Sequence, residues 1–256
     1  MKKLIYILLF LLILTSCNQT STNPFYNIIK DYPHNSNLIN EYEKVYNETN
    51  NIIYAINKVN YPNFLTPNSS NHLAFKINNL QLVNTNYKLS KTYIPKTLVE
   101  VTNVDYIKRS NQTMMIDQNT LNAYILLFNE SLLNNLNLTI FSSYRSYEYQ
   151  ESLYNKEENS FIAAPGASEH QTGLAIDIST KDTGLTKHFD NTPECVWLTN
   201  NAHKYGFIKR YPKDKEHITG YPYESWHYRY VGVEVAKIIY NNNLTLEEYF
   251  YQYIIL

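Results

Sequence analysis

The sequence predicts an α+β fold. Segments with helical periodicity are mixed with short runs that read as strands, and the two do not alternate in the regular rhythm of a parallel βαβ sheet. Apolar residues make up 44% of the chain, enough to bury a core. At 256 residues the chain accommodates one domain with additions, or two small ones. Its formal net charge of −1 argues against nucleic acid, whose binding needs a clustered basic footprint.

Taken in order, the chain opens with Lys2 and Lys3 before an unbroken apolar run, Leu4 to Leu14. Those 11 residues are too few to span a bilayer, which needs about 20. A basic start and a short apolar stretch read as a secretory signal over residues 1–16. The sequence "LTSC" then ends in Cys17 and looks like a bacterial lipobox, in which the cysteine is lipidated and becomes the mature N-terminus. The expectation is an extracytoplasmic protein anchored to the membrane by lipid, with a chance cysteine behind a plain signal peptide as the alternative. The chain has 2 cysteines, so lipid on Cys17 leaves Cys195 without an intramolecular partner; Cys195 is expected to be a buried packing thiol.

Residues 17–80 read as a linker and helical accessory region. Up to residue 36 they are mostly polar, a spacer from the membrane. Leu38, Tyr42 and Val45, then Ile52, Ile56 and Val59, have helical spacing interrupted at Thr49, and the helix should stop before Pro62. Residues 81–256 form the denser domain. Here a helix is predicted with Leu121, Tyr124, Ile125, Phe128 and Leu132 on one face. "LTIFSSYRS" reads as a strand entering a turn, and "YEYQESLYNK" as a helix. "LAIDI" is a short strand with Ala175 and Asp177 facing one way and Ile176 and Ile178 the other. "ECVWLTNNAHKYG" is a helix closed by Gly206, "FIKRYP" and "HYRYVG" are strands, and Thr245 with Glu248 makes a capping-box pattern.

The chemistry-bearing residues are sparse. A catalytic zinc takes three protein ligands and keeps one position open. No H-E-x-x-H helix is present, and of the 7 histidines His34, His72, His188, His203 and His217 sit in contexts that read as solvated or surface polar residues. His170 precedes a strand that carries Asp177 among Ala and Ile, where a carboxylate is costly unless paired or bound to metal. Gly173 lets the loop turn back, so the two can converge. His227, with Glu224 three residues before it, is the candidate third ligand. Spacing alone leaves a hydrogen-bonded His–Asp pair as the commoner outcome.

"SEHQTGLAIDI" and "ESWHYRYVG" resemble the two signature motifs of VanY-type D-alanyl-D-alanine carboxypeptidases, which belong with the zinc metallopeptidases of the lysostaphin and hedgehog group. The stretch between them resembles that family nearly throughout, and "SSYRSYEYQ" resembles its arginine motif. The resemblance covers about residues 82–250. It implies a peptidase domain with a small antiparallel sheet flanked by helices. It also implies zinc held by His170, Asp177 and His227, Glu224 as general base, and Arg145 as the binder of the substrate carboxylate, assisted by Ser168 and Gln150. Trp226 is either a wall packing His227 or ordinary core, and Arg229 is read as a strand-surface charge rather than an anion contact. The implied activity is removal of the C-terminal D-alanine of peptidoglycan stem peptides by a monomer. The alternatives are an L,D-carboxypeptidase acting on the tetrapeptide stem, a wall endopeptidase, or a non-catalytic wall-binding lipoprotein.

Overall fold

The computed structural model describes residues 23–30, 34–50, 75–77, 80–108, 113–156 and 162–250, together with Ile52, Ala55, Ile56, Val59, Gln252 and Tyr253. The signal segment with Cys17, and residues 60–74 with Pro62 and His72, lie outside the described residues. The chain forms two compact units, Met1–Asn60 and Tyr61–Leu256.

The first unit holds helices α1 (Tyr26–Ile29) and α2 (Ile39–Thr49). Asn50 ends α2 in the left-handed region (φ 50°), as Asn does more readily than most residues, and this accounts for the break in periodicity at Thr49. Phe25, Ile29, Ile39, Tyr42 and Ile56 form a small core of its own.

The second unit is built on a four-stranded antiparallel sheet of β5 (Thr139–Ser142), β6 (Ala175–Ser179), β7 (Phe207–Tyr211) and β8 (Glu224–Tyr230), in the order β5-β6-β8-β7. Before it come the hairpin of β1 (Phe75–Ile77) with β2 (Leu80–Leu82), and the pair β3 (Leu98–Glu100) with β4 (Met115–Asp117). Helices α3 (Gln118–Leu133) and α5 (Pro193–Asn201) cover one face of the large sheet; α4 (Tyr147–Lys156) follows β5. The core under α3 and α5 takes Ile176 and Ile178 from β6, Tyr228 from β8 and Phe207 from β7. Each such fully buried side chain is worth about 1.5–3 kcal/mol. The short α6 (Glu216–Thr219) follows β7, while α7 (Val233–Asn241) and α8 (Leu246–Phe250) bury Ala236, Ile239, Leu246 and Phe250 against Ile208 and Leu82.

Local signals fix the element ends. Asp117 accepts from the backbone N–H of Asn119 and Thr120 and starts α3. Thr245 and Glu248 satisfy each other's backbone N–H at 2.7 and 3.1 Å, the capping box expected at α8. Gly206 closes the helical stretch after α5 with φ 87°. Cys195 is buried in the main core as a free thiol. One expectation is corrected: Leu132 is 45% exposed, and the buried face of α3 continues through Leu127 and Ser131 instead. The helical period advances past position 132, and the Ser131 hydroxyl is satisfied by the carbonyl of Phe128 at 2.7 Å.

The turn before β6 decides where the polar residues end up. Residues Glu169–Thr172 make one 3₁₀ turn, and Gly173 (φ 71°) reverses the chain so that β6 begins at Ala175. A Cβ on Gly173 would lie 3.1 Å from the backbone nitrogen of Asp117, so the position is closed to other residues by both conformation and space. Gly173→Ala is expected to cost about 1–3 kcal/mol, read as a lower urea midpoint at unchanged slope.

Candidate active site

The site lies where β6 and β8 pair. Their antiparallel register sets Asp177 directly opposite His227, and β5 places Ser142 on the other side of Asp177. Ile176 and Ile178 alternate into the core, which leaves Asp177 on the opposite face, as its strand position predicts. The 3₁₀ turn delivers His170 to the same point. One ligand atom each from His170, Asp177 and His227 lies within 4.8 Å of the others, and all three residues are buried.

His170 Nδ1 lies 2.6 Å from the backbone oxygen of Ser143. As the donor in that contact it leaves Nε2 as the unprotonated atom. Nε2 is 3.2 Å from Asp177 Oδ2 but is buried without an aligned hydrogen-bond partner among the described residues. His227 turns Nδ1 toward Asp177 Oδ1 at 3.0 Å. Burial and the neighbouring Arg145 push His170 down to about 4, so it is a neutral base. Burial also lowers His227, but the carboxylates of Asp177 and Glu169 beside it outweigh that and hold the imidazole up at about 9. Burial works to raise Asp177, yet the two histidines keep it well below the usual carboxylate range. Two imidazoles with one carboxylate, their ligand atoms converging and His170 Nε2 buried without a hydrogen-bond partner among the described residues, form the donor set of an open zinc site. The residues present fit such an ion.

Glu224, at the start of β8, reaches the cluster from its edge, with Oε2 3.7 Å from His227 Nδ1. Burial pushes its carboxyl up to about 7, against the pull of His227 and Arg145. Arg145 leaves the end of β5. Its Nη2 donates to Ser168 Oγ at 3.3 Å, while its Nε is buried without a hydrogen-bond partner among the described residues. Gln150 is buried on α4, and its amide donates to the carbonyl of Ala163 at 2.7 Å, so it braces the loop that leads to Ser168. His203 stacks on Tyr240 with ring centroids 3.7 Å apart and takes no part in the cluster, and His188 and His217 are exposed.

Arg229, Tyr211 and Glu169 stand elsewhere than, or beyond, what the sequence suggested, while Trp226 takes one of its two expected places. Arg229 is fully buried, with Nη1 donating to Glu169 at 2.8 Å, which corrects its reading as a surface charge. Trp226 packs against the main core; Tyr211 is the ring that stacks on His227, with centroids 4.7 Å apart. Glu169, between Ser168 and His170, is fully buried and bonded to Arg210 and Arg229, and burial of so polar a residue is invisible in a motif that reads as a loop.

The match to known proteins is extensive. The family model described as VanY, D-alanyl-D-alanine carboxypeptidase, matches residues 113–233. A putative carboxypeptidase, YodJ of Bacillus subtilis (strain 168), is 42% identical over 184 residues, covering 68% of this chain and 67% of the relative. The chain belongs to the VanY family. It is an enzyme of the D-alanyl-D-alanine carboxypeptidase type. Among solved VanY-like structures, the LD-carboxypeptidase LdcB is 40% identical with a TM-score of 0.61, covering 70% of this chain and 93% of that one. A mutant of the vancomycin resistance D,D-pentapeptidase VanY in complex with Zn(II) is 32% identical with a TM-score of 0.54, covering 66% and 96%. At the N-terminus, residues 1–18 match the prokaryotic membrane lipoprotein lipid attachment site. Among the described residues, no helix is long and apolar enough to cross a membrane.

The approach of Ser168 to Arg145 is fixed from behind by Tyr221, whose hydroxyl donates to the carbonyl of Ala167 at 2.8 Å. Tyr221→Phe should lower stability by about 1 kcal/mol, the net worth of one buried hydrogen bond, measured by urea unfolding.

Proposed function

We propose that this VanY-family chain is a zinc-dependent carboxypeptidase that removes the C-terminal D-alanine from peptidoglycan stem peptides. The observation that carries the reading is the convergence of His170, Asp177 and His227 beside Glu224, with the half-buried Arg145 close by.

Zinc at such a site supplies a nucleophile at neutral pH, by lowering the pKa of water from about 15.7 toward 7, and polarises the scissile carbonyl. His170 and His227 offer nitrogen lone pairs, and Asp177 offers a carboxylate oxygen between them. Glu224 accepts the proton of the attacking water and passes it to the leaving amine nitrogen; burial gives it a proton affinity near neutrality, which suits a group that must both take and give. Arg145 pairs with the terminal carboxylate of the substrate through parallel N–H donors, and Ser168 keeps the guanidinium in place. Gln150 supports the same wall through Ala163.

A second reading has its own support. The 40% identity to the LD-carboxypeptidase LdcB supports an L,D-carboxypeptidase that takes the tetrapeptide stem as the alternative. Either activity fits an enzyme placed outside the cytoplasm and tethered through lipid on Cys17, a reading supported by the lipid attachment match over residues 1–18.

Chelation should abolish hydrolysis and zinc should restore it, while Glu224→Ala should bind zinc as the wild type does and turn over no substrate. Full activity in metal-free protein, or zinc lost together with Glu224, would contradict these assignments. Arg145→Ala should reduce kcat/KM for a free pentapeptide by roughly 10- to 150-fold, the equivalent of about 1.5–3 kcal/mol. Arg145→Lys should recover only part of that loss, since an ammonium lacks the planar two-point contact. Comparing the pentapeptide, its C-terminal amide and the tetrapeptide assigns D,D or L,D preference; equal cleavage of free and amidated peptides identifies an endopeptidase. For localisation, Cys17→Ala should leave the protein unlipidated and shift it out of the membrane fraction, or block its processing.

A further inference from the structure

His227 has two nitrogens with different surroundings. Nδ1 faces Asp177 at 3.0 Å and Glu224 at 3.7 Å, on the side where the ligand atoms converge. Nε2 points the other way, to Oε2 of Glu169 at 3.6 Å. Both Nε2 and Oε2 are buried, and neither has a hydrogen-bond partner among the described residues.

The carboxylate of Glu169 is not free to turn. Its other oxygen, Oε1, accepts from Arg210 Nε at 2.7 Å and from Arg229 Nη1 at 2.8 Å. Those guanidiniums are themselves fixed. Arg210 grips both oxygens of Glu247 on α8, at 2.8 and 2.5 Å, and Arg229 donates to the carbonyl of Gln81 at 2.8 Å. All four charged side chains are almost fully buried. One oxygen is thus tied down and the other is presented to the imidazole.

We propose that Glu169 is the positioning residue of the metal site: its Oε2 accepts the Nε2–H of His227 and so selects the tautomer whose Nδ1 lone pair faces the ion. This inference rests on the zinc reading above. A metal-bound histidine commonly donates its other N–H to a carboxylate, which fixes the ring and raises its basicity. The two arginines add a further constraint. By holding Oε1, they keep Glu169 from swinging toward the ion and becoming a ligand itself. A single turn of chain therefore supplies one ligand, His170, and the residue that orients another.

The test compares zinc dissociation constants, by chelator competition, for the wild type, Glu169→Gln and Glu247→Gln, together with the absorption spectra of their cobalt(II) forms. Glu247→Gln removes a buried carboxylate from Arg210 without facing His227, so it reports general damage to the charge network. Glu169→Gln is expected to weaken zinc binding roughly 10- to 100-fold and to shift the cobalt bands, with Glu247→Gln close to wild type on both counts. Unchanged zinc affinity in Glu169→Gln, or equal weakening in both variants, would overturn the proposal. Should Glu169→Gln fail to fold, nitrogen-15 NMR of histidine-labelled, zinc-loaded wild type decides. Metal on Nδ1 with a proton on Nε2 of His227 supports the proposal, and the opposite tautomer overturns it. Wild-type protein that binds no zinc at all would instead remove the zinc reading, and this inference with it.

Discussion

The register between β6 and β8 is the constraint on which the rest of the structure depends. Side chains alternate along a strand, so a slip of one residue would turn Asp177 into the core and Ile176 or Ile178 out of it. The pairing of Asp177 with His227 is held by the apolar residues around them: Ile176, Ile178 and Tyr228 lock the core face, and the polar face follows. Because β6 and β8 occupy the middle of the sheet, both are paired on both sides, and neither can shift without breaking two ladders. The geometry of the site is thus set mainly by hydrophobic packing on its far side.

The polar face carries an unusual amount of buried charge for a small domain. Glu169, Arg210, Arg229 and Glu247 have almost no exposure, and Asp177 and His170 are buried beside them. Breaking such a set by removing one member leaves a charge without a partner, at a cost of about 3–5 kcal/mol. The set is tolerable because its charges are close and well directed: Glu169 lies between two guanidiniums and Glu247 takes both arms of one. That arrangement makes the polar layer as intolerant of rearrangement as the apolar one.

Much of this was legible in the sequence, and the gaps have physical causes. The strands "LAIDI" and "FIKRY", the helix closed by Gly206 and the capping box at Thr245 were read from local rules, because the residues that specify them are adjacent in the chain. Spacing and family resemblance together point to the cluster of His170, Asp177 and His227; spacing alone leaves an ordinary His–Asp pair open. The burial of Arg229 escapes the sequence because an alternating strand with one arginine looks half-solvated, and its partner Glu169 lies 60 residues away. The clue was available: Arg210 and Arg229 sit on neighbouring strands at positions facing away from the main core, where two like charges require an anion between them. The face of Leu132 is not fixed by the sequence, because a helix of this length admits either Leu132 or Ser131, and the choice depends on the residues packed against it.

The bond between Arg210 and Glu247 makes helix α8 part of the interior. Glu247 lies in the second position of α8, yet it neutralises a guanidinium in the middle of the domain. Its helix also buries Leu246 and Phe250. A protease that clips after Asn243, or a shortened gene product ending there, would therefore remove more than a trailing segment. It would leave Arg210 with one carboxylate where it had two, and open the apolar cluster over Ile208 and Ile239 at the same time. Helix α8 thus behaves as a keystone: cutting the chain before Thr245 would turn a buried, neutralised cation into an unbalanced one.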